Sequence, residues 1–253
     1  MNPTNAWDVF VPYSWLHALA LIVCALLIVA PSLAGRRLSK SGEVALRRAL
    51  AGFAVCYWLA YNIWWNWNGL DWRNGLPLQL CDFNGLVAPL ALITGWRWAR
   101  AALYFWTAAL TLQAFIQPAL TAGPASPVFW TFWTAHTIIA ACAVYDVVVL
   151  GFRPGWGDLA RAIAVSAVYI AVVVPVNVAL GSNYGYVGNP ADIKDIPPFV
   201  YALGPWPLRA IILVALAPLG FVVVVLPWLI AARRNPLPHP GRARARPSAS
   251  SPD

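Results

Sequence analysis

Seven stretches of this chain run for about 20 residues with at most one charged side chain each. They cover about 14–34, 49–68, 76–95, 99–120, 129–150, 159–180 and 206–232. A helix of about 20 apolar residues crosses the roughly 30 Å of hydrocarbon in a bilayer. No water is available there, so each backbone N–H and C=O must find its partner within the segment, and a helix does this. The expectation is an all-α polytopic membrane protein, a seven-transmembrane-helix bundle over residues 14–232. An external segment, 1–13, precedes the bundle, and a basic cytoplasmic tail, 233–253, follows it.

Composition excludes the alternatives. Hydrophobic residues make up 60% of the 253 positions and charged residues 10%, against about 25% charged in ordinary soluble domains. The 17 basic and 9 acidic residues are too few to cover a water-exposed surface of this size. A soluble globular enzyme, a disordered chain and a coiled coil are thereby ruled out. The four cysteines, Cys24, Cys56, Cys81 and Cys142, lie inside apolar runs without CxxC spacing, which argues against a zinc site or disulfide framework. Residues 1–8 carry no Lys or Arg, unlike the basic start of a secretory signal, so the first apolar run is expected to be retained. The tail from 235 onward is rich in Pro, Arg and Ser and has no means to build a core.

The charges give the bundle an orientation. Arg36, Arg37, Lys40, Arg47 and Arg48 follow the first run, and Arg97 and Arg100 follow the third. Arg153 and Arg161 follow the fifth, and five arginines follow the seventh. The intervening loops hold only Arg73, Lys194 and Arg209. By the positive-inside rule this alternation puts the N-terminus outside and the C-terminus in the cytoplasm, as an odd number of spans requires. The net charge of +8 thus reports topology and implies no nucleic-acid partner. Tryptophans cluster at both ends of the runs, where an indole ring anchors at the interface.

Polar residues inside the runs are not evenly spread. In this orientation His17, Asn66, Cys81, Gln113, Gln117, His136 and Asn177 fall toward the outer ends of six helices. Cys81 lies about 8 Å and His136 about 10 Å in from the start of its run at 1.5 Å per residue. Polar groups at membrane depth usually face a cavity or the bundle interior. The layer therefore reads as a pocket open toward the outer leaflet, with interhelical hydrogen bonding as the plainer alternative. Gln79, Asp82 and Asn84 sit beside Cys81, and Asn183 lies in the long external loop, 181–205, a lid or an ordinary connection. Within the layer, Cys81 is a candidate nucleophile and His136 a candidate base for its proton. A metal site needs three or four ligands, and His17 is the only other imidazole in the layer, so no metal or other cofactor is expected.

Several strings resemble a known family. Leu76-Pro77-Leu78-Gln79-Leu80-Cys81-Asp82 resembles the LPLHLC segment of the bacterial YwaF-like integral membrane proteins, which are related to transmembrane protein 164. Leu112-Gln113-Ala114 with Gln117-Pro118, Phe129-Trp130 through His136, Gly181-Ser182-Asn183-Tyr184 and Gly204-Pro205-Trp206-Pro207 resemble further segments in the same order. The resemblance covers about Trp15 to Pro227. It implies a seven-helix protein of the bacterial cytoplasmic membrane. It also implies a phospholipid acyltransferase, or related acyl hydrolase, that passes an acyl group through Cys81 with help from His136. Membrane phospholipid would be the substrate, and the polar layer with its neighbouring loop would contact it through His17, Asn66, Gln79, Asp82, Asn84, Gln113, Gln117, Asn177 and Asn183. Gln79 stands where the family usually has His, and glutamine can hydrogen-bond but cannot titrate. The competing reading is a binder or transporter of a small polar or lipid molecule through the same cavity. The oligomeric state is left open.

Overall fold

The computed structural model describes residues 7–190 and 197–234. The first residues of the external segment, part of the 181–205 loop and all of the tail beyond Arg234 lie outside the described residues. The described residues are helical, without strands; one isolated bridge joins Val9 to Ala122. In chain order the helices are α1 (Trp15–Gly35), α2 (Lys40–Trp65), α3 (Leu80–Thr94), α4 (Arg97–Phe105), α5 (Gln113–Ile116), α6 (Pro127–Val148), α7 (Trp156–Leu180), α8 (Pro198–Tyr201) and α9 (Leu208–Arg234). A π-helical segment, Trp106–Thr111, links α4 to α5, and a 3₁₀ turn, Tyr184–Tyr186, follows α7.

Local chemistry sets most of the helix starts. The Ser14, Ser39 and Ser126 hydroxyls accept from His17, Gly42 and Val128 N–H groups, satisfying donors that a first turn leaves free. Pro127 occupies the first turn of α6, where a missing N–H costs nothing. Gly95 and Gly181 end α3 and α7 in the left-handed conformation.

Four helices, α1, α6, α7 and α9, are long and apolar enough to cross a membrane. The other three expected runs are helical but depart from an unbroken span. α2 begins nine residues earlier than the apolar run because Lys40–Arg48 extends the helix with charge. α3 starts at Leu80 because residues 76–79 are held as a turn and Gln79 caps the helix. The run 99–120 is divided among α4, the π segment and α5, and leaves helical geometry at Gln117, before Pro118.

The core centres on α4. Ala99, Ala101, Ala102, Leu103 and Phe105 are fully buried there, against α3, α6 and α7. Its two arginines reach carboxylates on neighbouring helices: Arg97 grips Asp158 of α7 at 2.6 and 2.7 Å, and Arg100 grips Asp146 of α6 at 2.9 and 3.0 Å. A smaller core joins α1, α5 and α6 through Phe10, Cys24, Phe115, Phe129 and Trp133. The loops sort to two ends. At one, residues 7–10 pair with 121–125, and Tyr184 bonds to Trp72 and Leu76. At the other lie the Arg97 and Arg100 pairs and the contact of Tyr145 with Glu43.

Candidate functional site

A cavity of about 810 Å³ lies toward the first of these ends, walled by α2, α3, α5, α6, α7 and α9 and by the 185–187 turn. The start of α3 is built into it. Three neighbours fix the approach. The Tyr184 hydroxyl accepts from the Leu76 N–H at 3.0 Å, and the Tyr169 hydroxyl donates to the Leu78 carbonyl at 2.9 Å. The Gly185 N–H donates to Gln79 Oε1 at 3.0 Å. Gly185 has φ +64, and a Cβ there would lie 2.7 Å from the Tyr169 hydroxyl, so the turn needs glycine to come this close.

Gln79 is the N-cap of α3, and Asp82 Oδ2 accepts the Gln79 backbone N–H at 3.2 Å. Cys81 is therefore the second residue of the helix. Asp82 and Phe83 N–H groups both donate to the Gln79 carbonyl. The Leu80 and Cys81 N–H groups have no acceptor among the described residues. Two free donors at a helix N-terminus beside a thiol are suited to an oxyanion formed on an acyl carbonyl.

Cys81 and His136 both line the cavity, without a hydrogen bond to each other. The Cys81 side chain neighbours the Thr111 hydroxyl. His136 Nδ1 lies 2.6 Å from the Phe132 carbonyl. A carbonyl only accepts, so Nδ1 carries the proton and Nε2 keeps its lone pair as a base. The ring packs 4.4 Å from Phe132 and 6.2 Å from Phe115. Tyr61, Tyr169 and Tyr186 surround Cys81 and Asp82. Burial pushes the Tyr186 phenol up to about 12, so it stays a proton donor at neutral pH.

Of the residues expected from sequence, Cys81, His136, Gln79, Asp82, Gln113 and Gln117 come together on this cavity. Five others do not. His17 is buried between α1 and α5: its Nδ1 accepts from the Tyr13 N–H and its Nε2 donates to the Phe115 carbonyl, both at 2.9 Å. Asn66 bonds to the Asn62 and Gly75 carbonyls and closes the loop after α2. Asn84 faces the π segment, donating to Thr107 and Thr111 hydroxyls. Asn177 and Asn183 order the turn after α7, where each Oδ1 accepts backbone N–H groups. These five shape the walls and loops rather than the lining.

The aromatic wall of α2 was missed. Tyr57, Tyr61 and Trp65 line the cavity at four-residue spacing, a period that marks one helix face. Among the described residues no group of three or more His, Cys, Asp or Glu side chains could hold a metal ion. In comparison with known proteins, the model of the TMEM164 family matches residues 11–226. No curated protein and no solved structure matches the chain.

Proposed function

The chain belongs to the TMEM164 family, and from that premise we propose that it is a membrane-embedded lipid acyltransferase or acyl hydrolase acting through Cys81 and His136. The observation that carries this reading is the shared cavity. One largely apolar chamber is lined by a thiol at a helix start and by an imidazole whose Nε2 is free. That is the equipment of a Cys–His nucleophilic site.

The chemistry follows from these groups. His136 Nε2 takes the Cys81 proton. The sulfur attacks the acyl carbonyl of a phospholipid, and the Leu80 and Cys81 N–H groups receive the oxyanion. The ester C–O bond breaks as a thioester forms, and the proton on His136 passes to the departing lysolipid alkoxide. An acceptor hydroxyl, or water in a hydrolase, then loses its proton to His136 and attacks the thioester. The proton returns to sulfur. Gln79 holds the helix start through Gly185 and acts as a positioning residue without titrating.

The test is lipid mass spectrometry on cells producing the wild-type chain, Cys81→Ala or His136→Ala at matched levels. Acyl transfer predicts a change in acyl composition or lysolipid level that needs both residues. Identical lipids with all three chains would defeat it. The second reading, a binder or transporter, is favoured by the Gln113 and Gln117 side chains, which are exposed on the cavity without hydrogen-bond partners among the described residues. It predicts that these residues matter while Cys81 is dispensable. In either case the proposed architecture is seven membrane-crossing segments, with the N-terminus outside and the C-terminus in the cytoplasm of a bacterial inner membrane.

A further inference from the structure

The cavity is chemically divided, and the division says how a lipid lies in it. Its polar lining comes from the Tyr57 and Tyr61 hydroxyls of α2, from the start of α3, from α5 and α6 and from the 185–187 turn. The wall between α7 and α9 is apolar. Its two polar side chains are already used: Ser166 accepts from Trp106 Nε1 and donates to the Ala162 carbonyl, both at 2.8 Å, and the Tyr169 hydroxyl donates to the Leu78 carbonyl. This arm offers a polar ligand no free hydrogen bond.

The arm has a length and an end. On α7 it follows Ile163, Ala167 and Ala171, one helix face at four-residue spacing. On α9 it runs from Leu213 to Phe221. Eight residues of helix on each side give about 12 Å, most of the roughly 15 Å that one leaflet's chains occupy. Phe221 is fully buried, its ring 5.5 Å from that of Phe105, and closes the deep end. Near the other end, Tyr169 lies close to Cys81 on the same lining. Ile163 and Val214 both line the arm and remain 38% and 40% exposed. These two exposed lining residues, one on α7 and one on α9, put the edge of the arm on the lateral surface of the bundle, where hydrocarbon would meet it.

We propose that this arm between α7 and α9 seats a lipid acyl chain, admitted sideways from the bilayer, and that Phe221 limits the chain length accepted. The inference rests on the acyl-transfer reading for its purpose, though not for the binding itself. A chain leaving the bilayer gains nothing from escaping water, since lipid is as apolar as the arm. Shape decides instead: the small side chains of Ala167 and Ala217 leave room for methylenes, and a large one would fill it.

The experiment uses the full chain in vesicles of phosphatidylcholine with a photoreactive diazirine near the end of one acyl chain. Label is mapped after irradiation in wild type, Cys81→Ala and Ala167→Trp, with Ala217→Phe as a second blocking variant and thermal unfolding as the check on folding. The expected result is label on the inward positions of α7 and α9 in wild type and Cys81→Ala. It is lost from both helices in a folded blocking variant and unchanged on the lipid-facing side of α1. In cells, a blocking variant is expected to shift Cys81-dependent acyl changes toward shorter chains. Equal labelling of α7 and α9 in a blocking variant would overturn the proposal. So would cross-links between two copies through this face. If cellular lipids never depend on Cys81 while the labelling pattern holds, the catalytic reading fails and the acyl site stands.

Discussion

The Asn177 side chain makes three hydrogen bonds, all to the turn that follows its own helix. It donates to the Tyr184 carbonyl at 2.8 Å and accepts from the Ser182 hydroxyl at 2.9 Å and the Tyr184 N–H at 2.8 Å. Asn177→Ala would strand these buried groups at a cost of about 3 kcal/mol, read as a lower midpoint of thermal unfolding in detergent. Gln113 is the contrary case. It faces the cavity and has no such partner, so Gln113→Ala should change stability by less than about 0.5 kcal/mol while lowering lipid turnover or binding. Equal loss of stability in both variants would remove the distinction between wall and lining. The sequence placed both residues toward the outer ends of their helices, and depth is as far as it reaches. It says how far along a helix a side chain lies, not which neighbour the helix turns that face toward. For Cys81 and His136 matched depth was enough to put both on the cavity lining. His17 and Asn84 looked similar by depth, yet their partners come from residues 98 and 23 positions away.

At the level of elements, the most informative departure is the division of the 99–120 run. Leu112 N–H reaches back five residues to the Thr107 carbonyl, and Asn84 of α3 bonds to both Thr107 and Thr111 across that widened turn. Periodicity within the run carries no trace of this contact, because Asn84 sits on another helix. At the opposite end the arginines were legible as a group and their carboxylate partners were not. Asp146 is buried and paired with Arg100, whose side chain is only 17% exposed. Asp146→Ala leaves that cation without a carboxylate, and the expected loss is about 3–5 kcal/mol. Asp158→Ala should cost less, about 1–2 kcal/mol, because Arg97 is 52% exposed and can turn to water and the remaining loss is a helix cap. Thermal unfolding of the two variants, with an Arg100/Asp146 double-mutant cycle, checks the order. Asp158→Ala proving the more damaging would mean that the helix cap matters more than the buried pair.

Across the whole molecule, the alternation of charged loops in the sequence matches the two ends of the structure. Residues 7–10 and 121–125 meet at the cavity end, while Arg97, Arg100 and Arg153 gather at the other. Arg153 lies 5.0 Å from the Trp228 ring, so the last turns of α9 belong to the arginine end. The structure thus puts residue 7 and residue 228 at opposite ends, but helix packing is indifferent to which end meets the cytoplasm. The positive-inside rule supplies the expected choice, the arginine end inside. Reporter fusions after Pro124 should therefore read outside, and fusions after Lys40 or Arg234 cytoplasmic. This result bears directly on the chemistry. Cys81, near the start of α3, lies toward the end with 7–10 and 121–125, so the expected pattern draws substrate from the outer leaflet. The reverse pattern would leave the hydrogen bonds, the α7–α9 arm and the Cys81–His136 arrangement intact. It would hand the same site to the inner leaflet, with different lipids and with cytosolic acyl acceptors within reach.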